Sequence, residues 1–148
     1  MEFEFNGTET IKAERNRIFN FIVNPYNFSS GIPEIQKIDV IDPNNFRIIA
    51  KLGISFLKGQ FTIDFTYKDK TNPSHVELFG HGKGMQSAFD IDITVDLKEI
   101  EGGATLLIWH ADTKVTGMLA SLGQNMLNSI AEKLVKEIFM HIQNSIQT

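Results

Sequence analysis

The segment Ala88-Phe89-Asp90-Ile91-Asp92-Ile93-Thr94-Val95-Asp96-Leu97-Lys98 alternates almost without error. Phe89, Ile91, Ile93, Val95 and Leu97 fall on one side, and Asp90, Asp92, Thr94, Asp96 and Lys98 on the other. A two-residue period with one packed and one wet face is the pattern of an antiparallel sheet. A second stretch repeats it, with Phe61, Ile63, Phe65 and Tyr67 set against Thr62, Asp64, Thr66 and Lys68.

Outward from these two strands, further extended runs are expected at about Ile35–Ile41, Phe46–Leu52, His75–Gly80 and Thr105–Val115, with Gln60–Lys68 and Ala88–Lys98 between them. Near the N-terminus, Glu2 to Lys12 alternates as a strand. Ala13 to Val23 then spaces Ile18, Phe19, Ile22 and Val23 as a helix, which Pro25 ends, and Tyr26–Ser30 reads as a second short helix. The last segment, Met118 to Ile146, reads as one long helix. Met118, Leu122, Met126, Ile130, Leu134, Ile138 and Ile142 form its apolar row, with Leu119, Leu127, Ala131, Val135 and Phe139 beside it. One strand, two short helices, six strands and one long helix make an α+β, helix-grip arrangement: a curved antiparallel seven-stranded sheet wrapped around the C-terminal helix. A cavity between sheet and helix is expected of such a layout.

A chain of 148 residues is expected to form a single domain over 1–148. Its 42% hydrophobic and 22% charged residues are ordinary for a globular protein. The absence of cysteine excludes disulfides, thiolate nucleophiles and Cys-based metal sites. No apolar run approaches the roughly 20 residues of a membrane span, and Met1-Glu2-Phe3-Glu4 lacks a basic leader, so a cytoplasmic protein is expected, with any membrane contact peripheral. A net charge of −4 with scattered lysines offers no stripe for nucleic acid.

Consecutive antiparallel strands reverse direction, so alternate turns fall at one end of the sheet. Asp42–Asn45, Asp69–Pro73 and Glu99–Gly103 gather at a charged end. Ser29–Pro33, Gly53–Leu57, Gly80–Met85 and Thr116–Leu119 gather at a glycine-rich, apolar end, and from Val115 through Ala131 there is no charged residue. Either Ile54, Phe56 and Leu57 plug the cavity, or these loops form its mouth. A ligand there would meet Ile32, Ile54, Phe56, Leu57, Phe61, Phe65, Met85, Phe89, Ile91, Met118, Leu119, Leu122, Met126 and Ile130. Transferring Ile54, Phe56 and Leu57 out of water contributes at most about 5–8 kcal/mol. Lys51, Lys58 and Lys83 flank this end, and with Phe56 and Leu57 they are the candidate membrane or partner contacts, each lysine adding about 1 kcal/mol near an anionic leaflet.

Catalytic groups are hard to assemble. His75, His81, His110 and His141 fall on different elements at no metal-ligand spacing, so no metal site is expected. Asp90, Asp92 and Asp96 share the wet face of their strand. Gly80, Gly82 and Gly84 precede a strand where a dinucleotide site needs a helix.

Several stretches resemble the carbon monoxide dehydrogenase G-subunit family of the START-like, polyketide-cyclase-like superfamily. They are Gly31-Ile32-Pro33, the Gly53–Gly59 hairpin with Lys58-Gly59, Gly82-Lys83-Gly84, Gly103–Leu107 leading to Ala111-Asp112, and above all Val115-Thr116-Gly117-Met118-Leu119-Ala120-Ser121-Leu122-Gly123. The resemblance implies a START-like fold with a lipophilic cavity. It also implies noncatalytic binding of an isoprenoid quinone or lipid, in the service of a carbon monoxide dehydrogenase-type molybdenum hydroxylase, its membrane recruitment or its electron transfer. Two other readings fit the residues: an adaptor docking a partner through Ile54–Leu57, and a cyclase- or hydrolase-like enzyme using His110, Asp112 or Tyr67.

Overall fold

The computed structural model describes residues 1–54 and 57–146. Seven antiparallel strands form one sheet: β1 (Glu2–Ile11), β2 (Ile35–Asp42), β3 (Asn45–Ile54), β4 (Leu57–Thr71), β5 (His75–Gly84), β6 (Ser87–Ile100) and β7 (Ala104–Gly117), in the order β1-β7-β6-β5-β4-β3-β2. Two short helices, α1 (Arg15–Ile22) and α2 (Pro25–Ser30), occupy the crossover from β1 to β2, and α3 (Gln124–Ile146) ends the chain. The seven-stranded helix-grip arrangement expected from the alternation is present.

Local chemistry sets the helix limits. Helix α1 starts at Arg15, two residues later than its apolar spacing suggests. Glu14 is still extended (φ −70°, ψ 150°), and the carbonyl of Ala13 accepts a buried hydrogen bond from the Thr105 hydroxyl at 2.8 Å. Its far end is tied to the sheet by Tyr67, whose buried hydroxyl donates to the Ile22 carbonyl at 2.6 Å. The Asn24 side chain then caps α2, accepting from the amides of Tyr26 and Asn27, with Pro25 preset for the first turn.

Two expected boundaries are corrected. Gly80–Met85 is not a loop: β5 continues to Gly84 and pairs with β6 down to Gly84–Ser87, and the turn is made by Met85 and Gln86, both at positive φ. Nor does the last helix begin at Met118. Residues Met118–Leu122 form a 3₁₀ turn, and α3 starts only after Gly123 at φ 88°. The amide of Met118 bonds the Gln86 carbonyl at 3.1 Å and that of Leu119 bonds the Ser87 hydroxyl at 2.8 Å, which pins the 3₁₀ turn to the β5–β6 turn. Apolar residues at 118, 122 and 126 keep helical spacing across the break, so periodicity alone runs straight through it.

The convex face carries an order no single strand displays. Asp39, Arg47, Asp64, His81, Asp90, Lys114 and Glu2 are successive cross-strand partners across all seven strands. Acid and base alternate along the row, the favourable arrangement for directly opposed pairs. Arg47 grips Asp64 with two hydrogen bonds of 2.6 and 3.1 Å, which holds the Asp64 carboxyl below its ordinary range. Asp90, Asp92 and Asp96 all stand on this outer face, as the alternation indicates.

The core lines the concave face. Phe46 stacks on Phe65 with ring centroids 5.1 Å apart, and Phe28 meets Phe65 edge-on at 5.5 Å. Val76, Leu78, Leu97 and Leu107 surround them, all buried. Helix α3 joins this core through its C-terminal half, where Phe139, Ile142 and Ile146 are buried and Phe139 lies 6.0 Å from Trp109.

Candidate ligand-binding site

On β6 the packing loosens toward the apolar end, the mouth. Along β6, Val95 and Leu97 are buried, whereas Ile93, Ile91 and Phe89, progressively nearer the mouth, are half-buried. Along the same face of β5 the side chains stop: Val76 and Leu78 are followed by Gly80, Gly82 and Gly84. A Cβ on Gly82 would collide with the Phe89 ring, one on Gly80 would lie 2.9 Å from the Phe65 ring, and one on Gly84 would meet the Gln60 carbonyl. The three glycines thus let rings from β4 and β6 lie across β5.

The N-terminal half of α3 roofs this region without filling it. Of its residues up to Ile138, only Leu127 is buried. On the flank toward β3 a cavity of about 800 Å3 opens between the helix and the sheet edge, lined by Leu52, Leu122, Met126, Ile130 and Leu134 together with the polar Glu34, Lys51, Asn125, Ser129, Lys133 and Glu137. That volume and its apolar lining suit a small apolar ligand.

Of the residues expected to meet a ligand, Leu122, Met126 and Ile130 are brought together on the cavity wall, with Lys51 at its edge. Phe89, Ile91 and Met85 are half-buried on the concave side, and Ile32 is half-buried against the core. Phe61, Phe65 and Leu119 are packed inside the core, and Met118 is exposed. Lys58 pairs with Glu34 at 2.7 Å, and Lys83 is exposed. Phe56 lies outside the described residues, as do the side chains of Ile54 and Leu57. Pro33 and Gly53 belong to loops expected at this end, but Lys133 and Glu137 were not anticipated: charged residues one helical turn apart read as a solvated face until the sheet edge is placed beside them.

Several polar groups elsewhere are engaged in structure. Ser30 lies 2.7 Å from His141 Nε2, but its hydroxyl donates to the Asn27 carbonyl at 2.6 Å. The imidazole must therefore donate to Ser30, the reverse of activating a nucleophile. Glu4, His110 and Asp112 place one donor atom each within 4.8 Å of one another on the outer face. These groups are spent on each other, His110 lying 3.1 Å from Asp112 and 3.5 Å from Glu4. A second hollow of about 460 Å3 beside them is walled by Asp90, Asp92 and Asp112 with Lys114, a solvated acidic surface. Next to it Glu77 is raised above its ordinary value by the adjoining Asp92 carboxyl. Burial raises the Tyr67 hydroxyl well above its usual pKa, so Tyr67 is a neutral donor to α1. Among the described residues no helix is long and apolar enough to cross a membrane.

Solved structures share this architecture. A conserved protein from Geobacillus kaustophilus superposes with a TM-score of 0.92 at 24% identity, over 98% of this chain and 95% of that one. A START superfamily protein from Mycobacterium smegmatis gives 0.73 at 14% identity, covering 97% of each chain. The Zhui aromatase/cyclase from Streptomyces sp. R1128 gives 0.74 at 8% identity, over 99% of this chain and 94% of that one. The fold is thus that of the START and cyclase helix-grip proteins. No curated protein sequence matches the chain. The family model described as the carbon monoxide dehydrogenase G subunit (CoxG) matches residues 7–147, and a match of that extent, on a fold with an apolar cavity under its last helix, means that the chain belongs to the CoxG family of carbon monoxide dehydrogenase subunits.

Proposed function

We propose that this protein is a noncatalytic holder of an apolar molecule, an isoprenoid quinone or a lipid, which it keeps in the space under the N-terminal half of α3. The observation that carries this reading is the 800 Å3 cavity with its Leu52, Leu122, Met126, Ile130 and Leu134 walls. The family's name supports a role beside a carbon monoxide dehydrogenase-type molybdenum hydroxylase, where a held quinone would pass electrons onward or a lipid would bring the enzyme to the membrane face. Met118 and Met126, about two-fifths exposed at the mouth, together with Lys51 and Lys83, suit reversible contact with an anionic surface.

Trp109 is the only tryptophan of the chain, and its ring lies on the concave face against Phe5 and Phe139. A benzoquinone bearing a decyl chain is therefore expected to quench its fluorescence saturably, reaching a plateau near one equivalent. Linear quenching without a plateau, equal to that of free N-acetyltryptophanamide, would count against a bound quinone.

A further inference from the structure

The cavity under α3 carries charge as well as apolar surface, and the charge is unbalanced. It opens where β2 stops. Toward the mouth the β2–β3 ladder ends at Ile35–Ala50, and the Lys51 amide then donates to the Glu34 carbonyl at 3.1 Å. Beyond that point no strand among the described residues flanks the β3 edge. Four charged residues line the space, Glu34 and Lys51 from this edge and Lys133 and Glu137 from the helix. Glu34 is already matched, its carboxylate accepting from Lys58 at 2.7 Å. Lys133 and Glu137 are one turn apart, but the lysine comes first, the less favourable order for a pair within a helix. Among the described residues neither the Lys51 nor the Lys133 ammonium has a side-chain partner. Two ammonium groups are thus set against the one carboxylate of Glu137, in a chain whose net charge is −4.

Apolar surface lies alongside. Met126, Ile130 and Leu134 follow one another at four-residue steps, a stripe of roughly 12 Å along the helix axis, and Leu52 lines the same space from the sheet. Lys133 adjoins the Leu134 end of that stripe. We propose that the molecule held here is an anionic amphiphile, a hydrocarbon chain ending in a carboxylate as in a fatty acid. Its chain covers the Met126–Leu134 stripe, and Lys51 and Lys133 take its head group. The two oxygens of a carboxylate accept a charge-assisted hydrogen bond from each ammonium. Lysine stems are long and flexible enough to lie on apolar surface while their charged ends reach a head group at the rim. A cationic amphiphile would find only Glu137 unmatched.

This rests on the proposal that the space takes an apolar ligand, and the two can fail separately. The test measures decanoate, decanol and decylammonium at neutral pH and low ionic strength, below their micelle concentrations, as competitors of the uncharged probe N-phenyl-1-naphthylamine. Wild type is compared with the Lys51→Gln, Lys133→Gln double variant and with Lys98→Gln, whose lysine lies at the far end of β6, outside the cavity lining. In the double variant the affinity for decanoate relative to decanol is expected to fall about fivefold or more, while decanol itself stays within about twofold. Lys98→Gln should match wild type for all three probes. An unchanged decanoate-to-decanol ratio in the double variant, equal losses for all three probes, or tighter binding of decylammonium than of decanoate to wild type would each overturn the anionic head group and leave the apolar-ligand reading standing. If no probe binds wild type, both fall.

Discussion

Alanine at position 117 is expected to lower the melting temperature by roughly 6–12 °C, from a destabilisation of about 3 kcal/mol. Gly117 has φ 85° and ψ −152°, a region open in practice only to glycine. A Cβ there would also strike the Gln86 carbonyl oxygen and lie 2.8 Å from the Ser87 α-carbon. Those atoms cannot withdraw cheaply, because the Gln86 carbonyl accepts from the Met118 amide and so fixes the start of the 3₁₀ turn. Gly123→Ala is the informative comparison. Its φ of 88° is equally unfavourable, but its Cβ would meet nothing within 4 Å, so its melting temperature should fall by less. Equal falls for the two would show that the contact with the β5–β6 turn contributes nothing.

Glutamate at position 130 is expected to weaken binding of an apolar probe such as octylbenzene on the order of a hundredfold while leaving the fold intact. Ile130 is half-buried on the cavity wall between Met126 and Leu134. A carboxylate there can stay hydrated in the free protein, so folding loses little, but a ligand entering the cavity would strip that water away. Met140→Glu is the control, since Met140 is 62% exposed and lies outside the cavity wall. Its probe affinity should match that of wild type. Unaltered binding by Ile130→Glu would place the ligand elsewhere.

Much of the fold is legible because one face of each strand is wet. Phe61 to Lys68 and Ala88 to Lys98 announce their pleat residue by residue, and strand parity sorts the turns into a polar and an apolar end. The extension of β5 is illegible, because Gly80, Gly82 and Gly84 carry no side chains to alternate. Only the rings of Phe65 and Phe89 in the neighbouring strands reveal why the glycines are there. The break at Gly123 is hidden for the opposite reason, since apolar residues four apart continue the helical pattern across it. The alternating row from Asp39 to Glu2 depends on register between residues far apart in the chain, which no local pattern encodes. The candidate site shows the same division. Leu122, Met126 and Ile130 are visible as an apolar stripe, but Lys133 and Glu137 look like an ordinary solvated face until the sheet edge is placed beside them.

Native mass spectrometry of the protein, gently purified from its own host, tests the claim of a held apolar molecule most directly. The expected result is the polypeptide mass plus a noncovalent increment, which organic solvent releases and which added quinone or octylbenzene restores. The polypeptide mass alone, unchanged by either addition, would contradict it.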